Sequence, residues 1–228
     1  MSTRHETNPN PAWLAWQLVD SAFPTGGFAH SGGLEAAWQQ GEIRSRTDLE
    51  LFVSMGLRQI GRSSLPFVST AFQDPGRLRE LDERYDACMS NHVANRASRL
   101  QGRALWNGVT KTFLGSKPMT MTEILANPPF YHLAPVFGTL TRLLDLERNM
   151  VSRMFLFQHL RGWVASGVRL GIVGPMEGQG LQFRLGPQAE DVLTRCLRLT
   201  LDDVAQVAPL FEMWQGSQDR LYSRLFQS

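Results

Sequence analysis

The chain has 228 residues, of which 43% are hydrophobic and 19% charged, a globular mixture that excludes a collagen-like or wholly disordered polymer. Its 23 cations and 21 anions leave a formal charge of +2, too small a surplus to suggest a nucleic-acid partner. A chain this long hides roughly 70% of its extended surface on folding, so no disulfide or structural metal is required. The two cysteines, Cys88 and Cys196, fit a reducing compartment.

All the cations except Lys111 and Lys117 are Arg, a residue that forks onto carboxylates and suits protein contacts. Residues 1–11 are polar and Pro-containing with no apolar core of a signal peptide, and they read as a flexible tail. Trp13 to Leu18 opens an apolar helix that stops at Pro24, and Leu34, Ala37 and Trp38 recur at helical spacing. Thr47 and Glu50 form a capping-box pattern before Leu51, Val53, Met55, Leu57 and Ile60, which predicts another helix.

Asp74 and Pro75 are an N-cap and first-turn pair, and Leu78, Leu81, Tyr85 and Cys88 continue the period, predicting one long helix to about Phe113. Thr120 and Glu123 repeat the capping pattern, in a helix limited by Pro128. From Leu143 to Leu170 apolar residues cover more than one face, the pattern of a central or interface helix. Gly171 to Gly180, with Pro175, reads as a loop or hinge, followed by helices at Gln188 to Leu201 and Asp202 to Trp214. Strand signals are scarce, Met119 to Ile124 being the nearest.

These elements predict an all-α fold, a single domain of about eight to ten helices over residues 12–214, with a C-terminal tail at 215–228. The longest run free of charged residues, Ile124 to Thr141, holds three prolines and Asn127, which makes a poor membrane helix. The expectation is a cytoplasmic protein with no membrane partner.

Chemistry-bearing motifs are few. Neither Lys sits in a P-loop, no His-Glu-x-x-His occurs, and two cysteines cannot make a four-thiolate zinc site. Ala29-His30-Ser31-Gly32-Gly33 imitates the serine-hydrolase elbow, but no strand precedes it. Ser31 with His30 defines a hydrolase alternative, and Cys88 with His92, four residues apart, a metal-dependent one. Arg96, Arg99 and Arg103 share a helical face in a stretch, 91–117, with five cations and no acid, as a solvated face or partner contact would.

The densest motif is Trp16-Gln17-Leu18-Val19-Asp20-Ser21-Ala22-Phe23-Pro24-Thr25-Gly26-Gly27-Phe28-Ala29-His30-Ser31-Gly32-Gly33-Leu34-Glu35. Physically it is a helix, a tight turn and a helix. It closely resembles the signature of the urease accessory protein UreF family. Gln101-Gly102-Arg103-Ala104-Leu105, the loop from Leu170-Gly171 to Gly178-Gln179-Gly180, and the ending Tyr222-Ser223-Arg224-Leu225-Phe226-Gln227-Ser228 are similar to that family's later motifs, in order along the chain. Many relatives carry Tyr where this chain has Phe28.

The resemblance implies an all-helical, dimerising protein with no catalytic residues or cofactor of its own. It implies partners too: a UreD-type protein (UreH in some organisms), the GTPase UreG recruited through it, and apo-urease, to which the assembly delivers nickel in a GTP-dependent step. Phe23, Pro24, Gly26, Gly27, Phe28, His30, Ser31, Gly33 and Glu35 are then expected in a partner or dimer surface. Arg220, Tyr222, Ser223, Arg224, Leu225 and Phe226 have the Arg and aromatic content of an interface anchor. With no evident core to join, that tail is expected to order on binding the UreD-type partner.

Overall fold

A computed structural model describes residues 10–114 and 128–228. Among these residues are ten α-helices and no strand, the all-α architecture expected. They are α1 (Pro11–Val19), α2 (Leu34–Gln39), α3 (Arg46–Ser63), α4 (Leu65–Gln73), α5 (Leu78–Cys88), α6 (His92–Phe113), α7 (Leu133–Leu143), α8 (Arg148–Arg169), α9 (Pro175–Cys196) and α10 (Pro209–Ser217). None of them is long and apolar enough to cross a membrane.

Helix α8 is the centre of the packing, which is why its apolar residues run over more than one face. It buries Val151, Met154, Phe155, Leu156, Leu160, Trp163 and Val164 against α9, α3, α4 and α1. A second group joins α4, α6 and α5 around α7, whose first turns are wholly buried through Thr141. At the seam with α10, Phe52 of α3 stacks on Phe211 at 4.7 Å and Trp163 meets Phe211 edge-on at 5.6 Å, an arrangement that adds directional attraction to the area buried.

Several boundaries differ from the sequence expectation. Asn10 and Pro11, read as tail, belong to the start of α1: the Asn10 side chain caps it by accepting the Ala12 N–H at 2.9 Å and Pro11 fills the first helical position. The box at the start of α3 is Ser45 and Asp48, with Ser45 Oγ accepting the Asp48 N–H and donating to its carboxylate. Glu50 instead pairs with Arg184 of α9 at 3.3 Å. Asp74 does cap a turn, but a single 3-10 turn, Pro75–Arg77, intervenes before α5.

The long helix expected to Phe113 is two helices. Asn91 stops the first by capping the second, accepting from the Val93 and Ala94 N–H groups, while its amide donates to Glu212 O of α10 at 2.8 Å. The segment from Leu143 divides in the same way: Asp145 takes a left-handed φ of 58°, tolerable for Asp, and the Glu147 carboxylate caps α8 through the Asn149 and Met150 N–H groups.

The expected hinge at Gly171 to Gly180 is the largest correction, since α9 begins at Pro175 and runs through Gly178, Gly180, Gly186 and Pro187. Glu177 returns to the Gly174 N–H at 3.1 Å, and Leu181, Leu185 and Val192 are buried. Tertiary burial overrides the poor intrinsic propensity of glycine. The helix expected near Asp202 is a 3-10 turn, Leu201–Asp203, an extended stretch and then α10. Buried Gln59 holds that stretch by accepting the Val207 and Ala208 N–H groups at 2.7 and 2.9 Å. The Thr120/Glu123 box and the strand candidate Met119 to Ile124 lie outside the described residues.

A polar hub anchors the chain where it enters α7. Fully buried Asp82 accepts the N–H groups of Phe130, Tyr131 and His132 at 2.7, 2.8 and 2.7 Å. His132 Nε2 faces Asp86 at 3.0 Å. Its Nδ1 faces Ser98 Oγ at 3.1 Å, and that hydroxyl accepts the Leu133 N–H. A neutral ring donating through Nε2 satisfies every member. Gly102 is required beside the hub, because a Cβ there would run into the Tyr131 carbonyl.

The hub and a second buried histidine, His159, set two expectations for stability. Asp82→Ala leaves three N–H groups without their acceptor and is expected to cost roughly 3 kcal/mol or more, read as a lower urea midpoint. Stability also depends on pH. Burial pushes the His132 imidazole below its ordinary value, outweighing the opposing effects of Asp86 and Asp82, and burial does the same to His159. The unfolded chain therefore takes up protons first. The contribution is full above about pH 6.5 and is lost as pH falls toward the folded values. The urea midpoint should drop between pH 7.5 and 5, and His159→Phe should shrink that drop; an unchanged drop would exonerate His159.

Candidate functional site

The structure brings the two terminal motifs together. After α1 the chain turns at Asp20, whose carboxylate accepts the Ala22 N–H at 2.6 Å. Phe23 tucks in parallel to Phe113 of α6 at 6.2 Å, with Pro24 beside it over Gly108. Gly26 takes a left-handed φ and leads into a single 3-10 turn, Gly27–Ala29. That turn leaves Phe28 75% exposed.

From His30 onward the block meets the chain's last residues. Ser31 N–H donates to Ser228 O at 2.5 Å and Ser31 Oγ donates to the same oxygen at 3.2 Å. Gln227 N–H donates to Ala29 O at 2.8 Å, and His30 Nδ1 lies 2.5 Å from Ser228 Oγ. Gly33 has φ 91°, and a Cβ there would sit 3.0 Å from Gln215 N. Only glycine allows both that conformation and that approach of α10.

Glu35 is the hinge pin of this junction. Its carboxylate is 1% exposed and accepts the Leu225 N–H at 2.6 Å, the Phe226 N–H at 3.1 Å and Gln218 Nε2 at 2.6 Å. Gln39, one turn on, donates to Ser223 O at 2.9 Å. Phe226 is 3% exposed beneath the Arg169 guanidinium, 4.2 Å from its ring centre, and Arg169 also donates to Phe28 O. The reading of 215–228 as a tail with no core to join is therefore corrected: backbone N–H groups with a buried carboxylate to meet are held by it.

Helix α6 holds the tail's acidic residue. Asp219 is forked by Arg96 at 2.8 and 3.1 Å and paired with Arg224 at 3.2 Å and His92 at 3.3 Å. The Arg96 hydrogen bond, above all, holds its carboxyl below the usual carboxylate range. Arg220, Tyr222, Ser223, Arg224 and Leu225 remain exposed, and the Tyr222 ring stands wholly in solvent. Phe28, Tyr222 and Leu225 are thus apolar groups presented by a rigidly held backbone.

Sequence reasoning missed Gln218, Gln39 and Arg169. Gln39 carries a faint signal, its i+4 spacing from Glu35; the others carry none, since nothing local tells a buried Gln from a solvated one. A cavity of about 410 Å³ lies under the motif, bordered by His30, Gln101, His159, Trp163, Arg169 and Ser228. Burial, with help from Arg96, lowers His30 to about 4, so the ring is neutral near pH 7.

This geometry bears on the two alternative chemistries. His30 turns to Ser228, and the buried Ser31 hydroxyl is occupied by a backbone carbonyl, so no base activates Ser31 as a nucleophile. Cys88 ends α5 and His92 begins α6 across the Met89–Asn91 break, with His92 engaged by Asp219. Among the described residues no three His, Cys, Asp or Glu side chains gather to hold a metal.

Known proteins give an independent reading. A sequence profile of the UreF family matches residues 43–186, more than half of the chain. Urease accessory protein F of Arabidopsis thaliana is 36% identical over 221 residues, covering 95% of this chain and 92% of that protein. Urease accessory protein F of Oryza sativa subsp. indica is 32% identical over 96% and 86%. Urease accessory protein UreF of Trichodesmium erythraeum is 26% identical over 92% and 94%. Matched by the family profile over more than half of its length and by relatives over nearly all of it, the chain belongs to the UreF family of urease accessory proteins.

Proposed function

We propose that the protein is a non-catalytic factor of urease maturation, and that it meets a UreD/UreH-type accessory protein through the surface that the 23–35 block and the C-terminal segment build together. In this reading the complex recruits or regulates the UreG GTPase and delivers nickel to apo-urease in a GTP-dependent step. The protein works in the cytoplasm as a homodimer and passes the metal on without a resident cofactor.

The observation that carries the reading is the Glu35 junction. It fixes the backbone of Leu225 and Phe226 while leaving Leu225, Tyr222 and Phe28 outward, and aromatic groups offered on an ordered backbone lose little entropy on binding. Membership in the family supplies the process, and the occupied state of Ser31 and His30 supports a role without catalysis. Arg224 is shared with Asp219 in the free protein, so a partner carboxylate must compete for it.

Tyr222→Ala combined with Leu225→Ala is expected to weaken capture of the UreD-type partner by about tenfold or more with the helical circular dichroism unchanged; Arg224→Ala should weaken it less. In cells, the double variant should reduce urease activity and urease-bound nickel at normal urease abundance. Undiminished capture and activation would overturn this surface. Glu35→Ala is expected to release the C-terminal segment, seen as faster proteolysis after Arg220 and Arg224; a segment equally protected would show that Glu35 does not hold it.

A further inference from the structure

A second cavity, of about 640 Å³, opens where α4, the Pro75–Arg77 turn, α5, the first residue of α8 and the Leu197–Asp202 loop meet. It shares no residue with the junction of the two terminal motifs. Four arginines line it, Arg77, Arg84, Arg148 and Arg198, against one carboxylate, Asp202. Local pairing uses part of that charge: Arg84 takes Asp202 at 3.0 Å, and Arg77 forks onto Glu80 at 2.6 and 2.9 Å.

Arg148 and Arg198 are left over. Neither has a carboxylate within ion-pair distance among the described residues. Arg148 is half-buried and is held only by neutral acceptors: the Gln73 amide, turned so that its oxygen faces the guanidinium at 2.9 and 3.0 Å, and Leu197 O at 3.4 Å. Its Nε is shut off from water with no acceptor at all. A cation withdrawn from water without a counter-charge is costly, and an orphaned buried donor calls for an explanation.

We infer that this cleft is a binding site for a small phosphate-bearing anion, a diphosphate or phosphate ester, whose oxygens complete the coordination of Arg148 and Arg198. The two uncommitted guanidiniums reach the cleft from α8 and from the loop after α9, with the paired Arg77 and Arg84 on its other walls, which suits an anion with acceptors on several sides. A single carboxylate offers a planar pair, whereas a phosphate meets forks from different directions. The volume is that of a site for a small organic ligand and exceeds what one phosphate ion fills, so an ester or a second phosphate occupies the rest.

Titration calorimetry of the full chain with inorganic pyrophosphate, in chloride buffer at fixed ionic strength, tests the site. Saturable binding of one pyrophosphate per chain is expected, and sulfate at equal charge concentration should not displace it. Arg198→Glu, at an exposed position, should keep the melting temperature and weaken binding by at least about tenfold. Arg58→Glu, at an exposed position of α3 outside the cleft, should leave binding unchanged. Arg148→Gln should abolish binding, and if that variant misfolds Arg198→Glu still decides. Absence of saturable binding at millimolar pyrophosphate, full affinity in Arg198→Glu, or equal displacement by sulfate would each overturn the proposal. So would an oligoglutamate peptide that binds more tightly than pyrophosphate and is lost in Arg198→Glu, which would make the cleft a docking groove for acidic chains.

Discussion

One buried carboxylate holds the two ends of this fold together. Glu35 stands on a six-residue helix too short to be stable alone, and its two oxygens take backbone N–H groups from Leu225 and Phe226 and an amide from Gln218. The arrangement stabilises both sides: the carboxylate needs donors once it leaves water, and the irregular C-terminal backbone needs acceptors. Seating of Phe226 under Arg169, and the Ser31 and Ala29 bonds to the last two residues, all depend on that register.

The fold uses this device twice. Asp82 does for the entry to α7 what Glu35 does for the C-terminal segment, collecting successive N–H groups from chain that belongs to no helix. In each case glycine makes the approach possible, Gly102 beside the Asp82 hub and Gly33 beside the Glu35 junction. The helices supply the apolar mass around α8, while the irregular segments are positioned by charge-assisted hydrogen bonds. That division explains how exposed groups such as Phe28 and Tyr222 are presented from a single 3-10 turn and an irregular stretch that no long helix contains.

The helical class and the centrality of α8 were legible in the sequence because periodic burial is a local property. What was illegible depended on partners far along the chain. The first turns of α9, through Gly178 and Gly180, read as part of a hinge until α8 and α3 are there to bury Leu181 and Leu185. The breaks at Asn91 and Asp145 are written in single polar residues inside otherwise continuous apolar patterns. In the candidate site, Glu35, Ser31 and the C-terminal motif were visible separately, but nothing in 218–228 announces a buried Gln218 or a mate for Phe226. Pairings across some 190 positions leave no periodic trace.

That separation in sequence has a consequence for biogenesis. Residues 218–228 leave the ribosome after every element they dock on, and closing so long a loop is among the slowest contacts to form. The docked surface is therefore assembled last and only on a body already folded, since the Gln215 approach to Gly33 and the Arg169 cover over Phe226 require α10 and α8 in place. A truncated or half-folded chain lacks that surface altogether, so the face proposed for a partner exists only on a folded body.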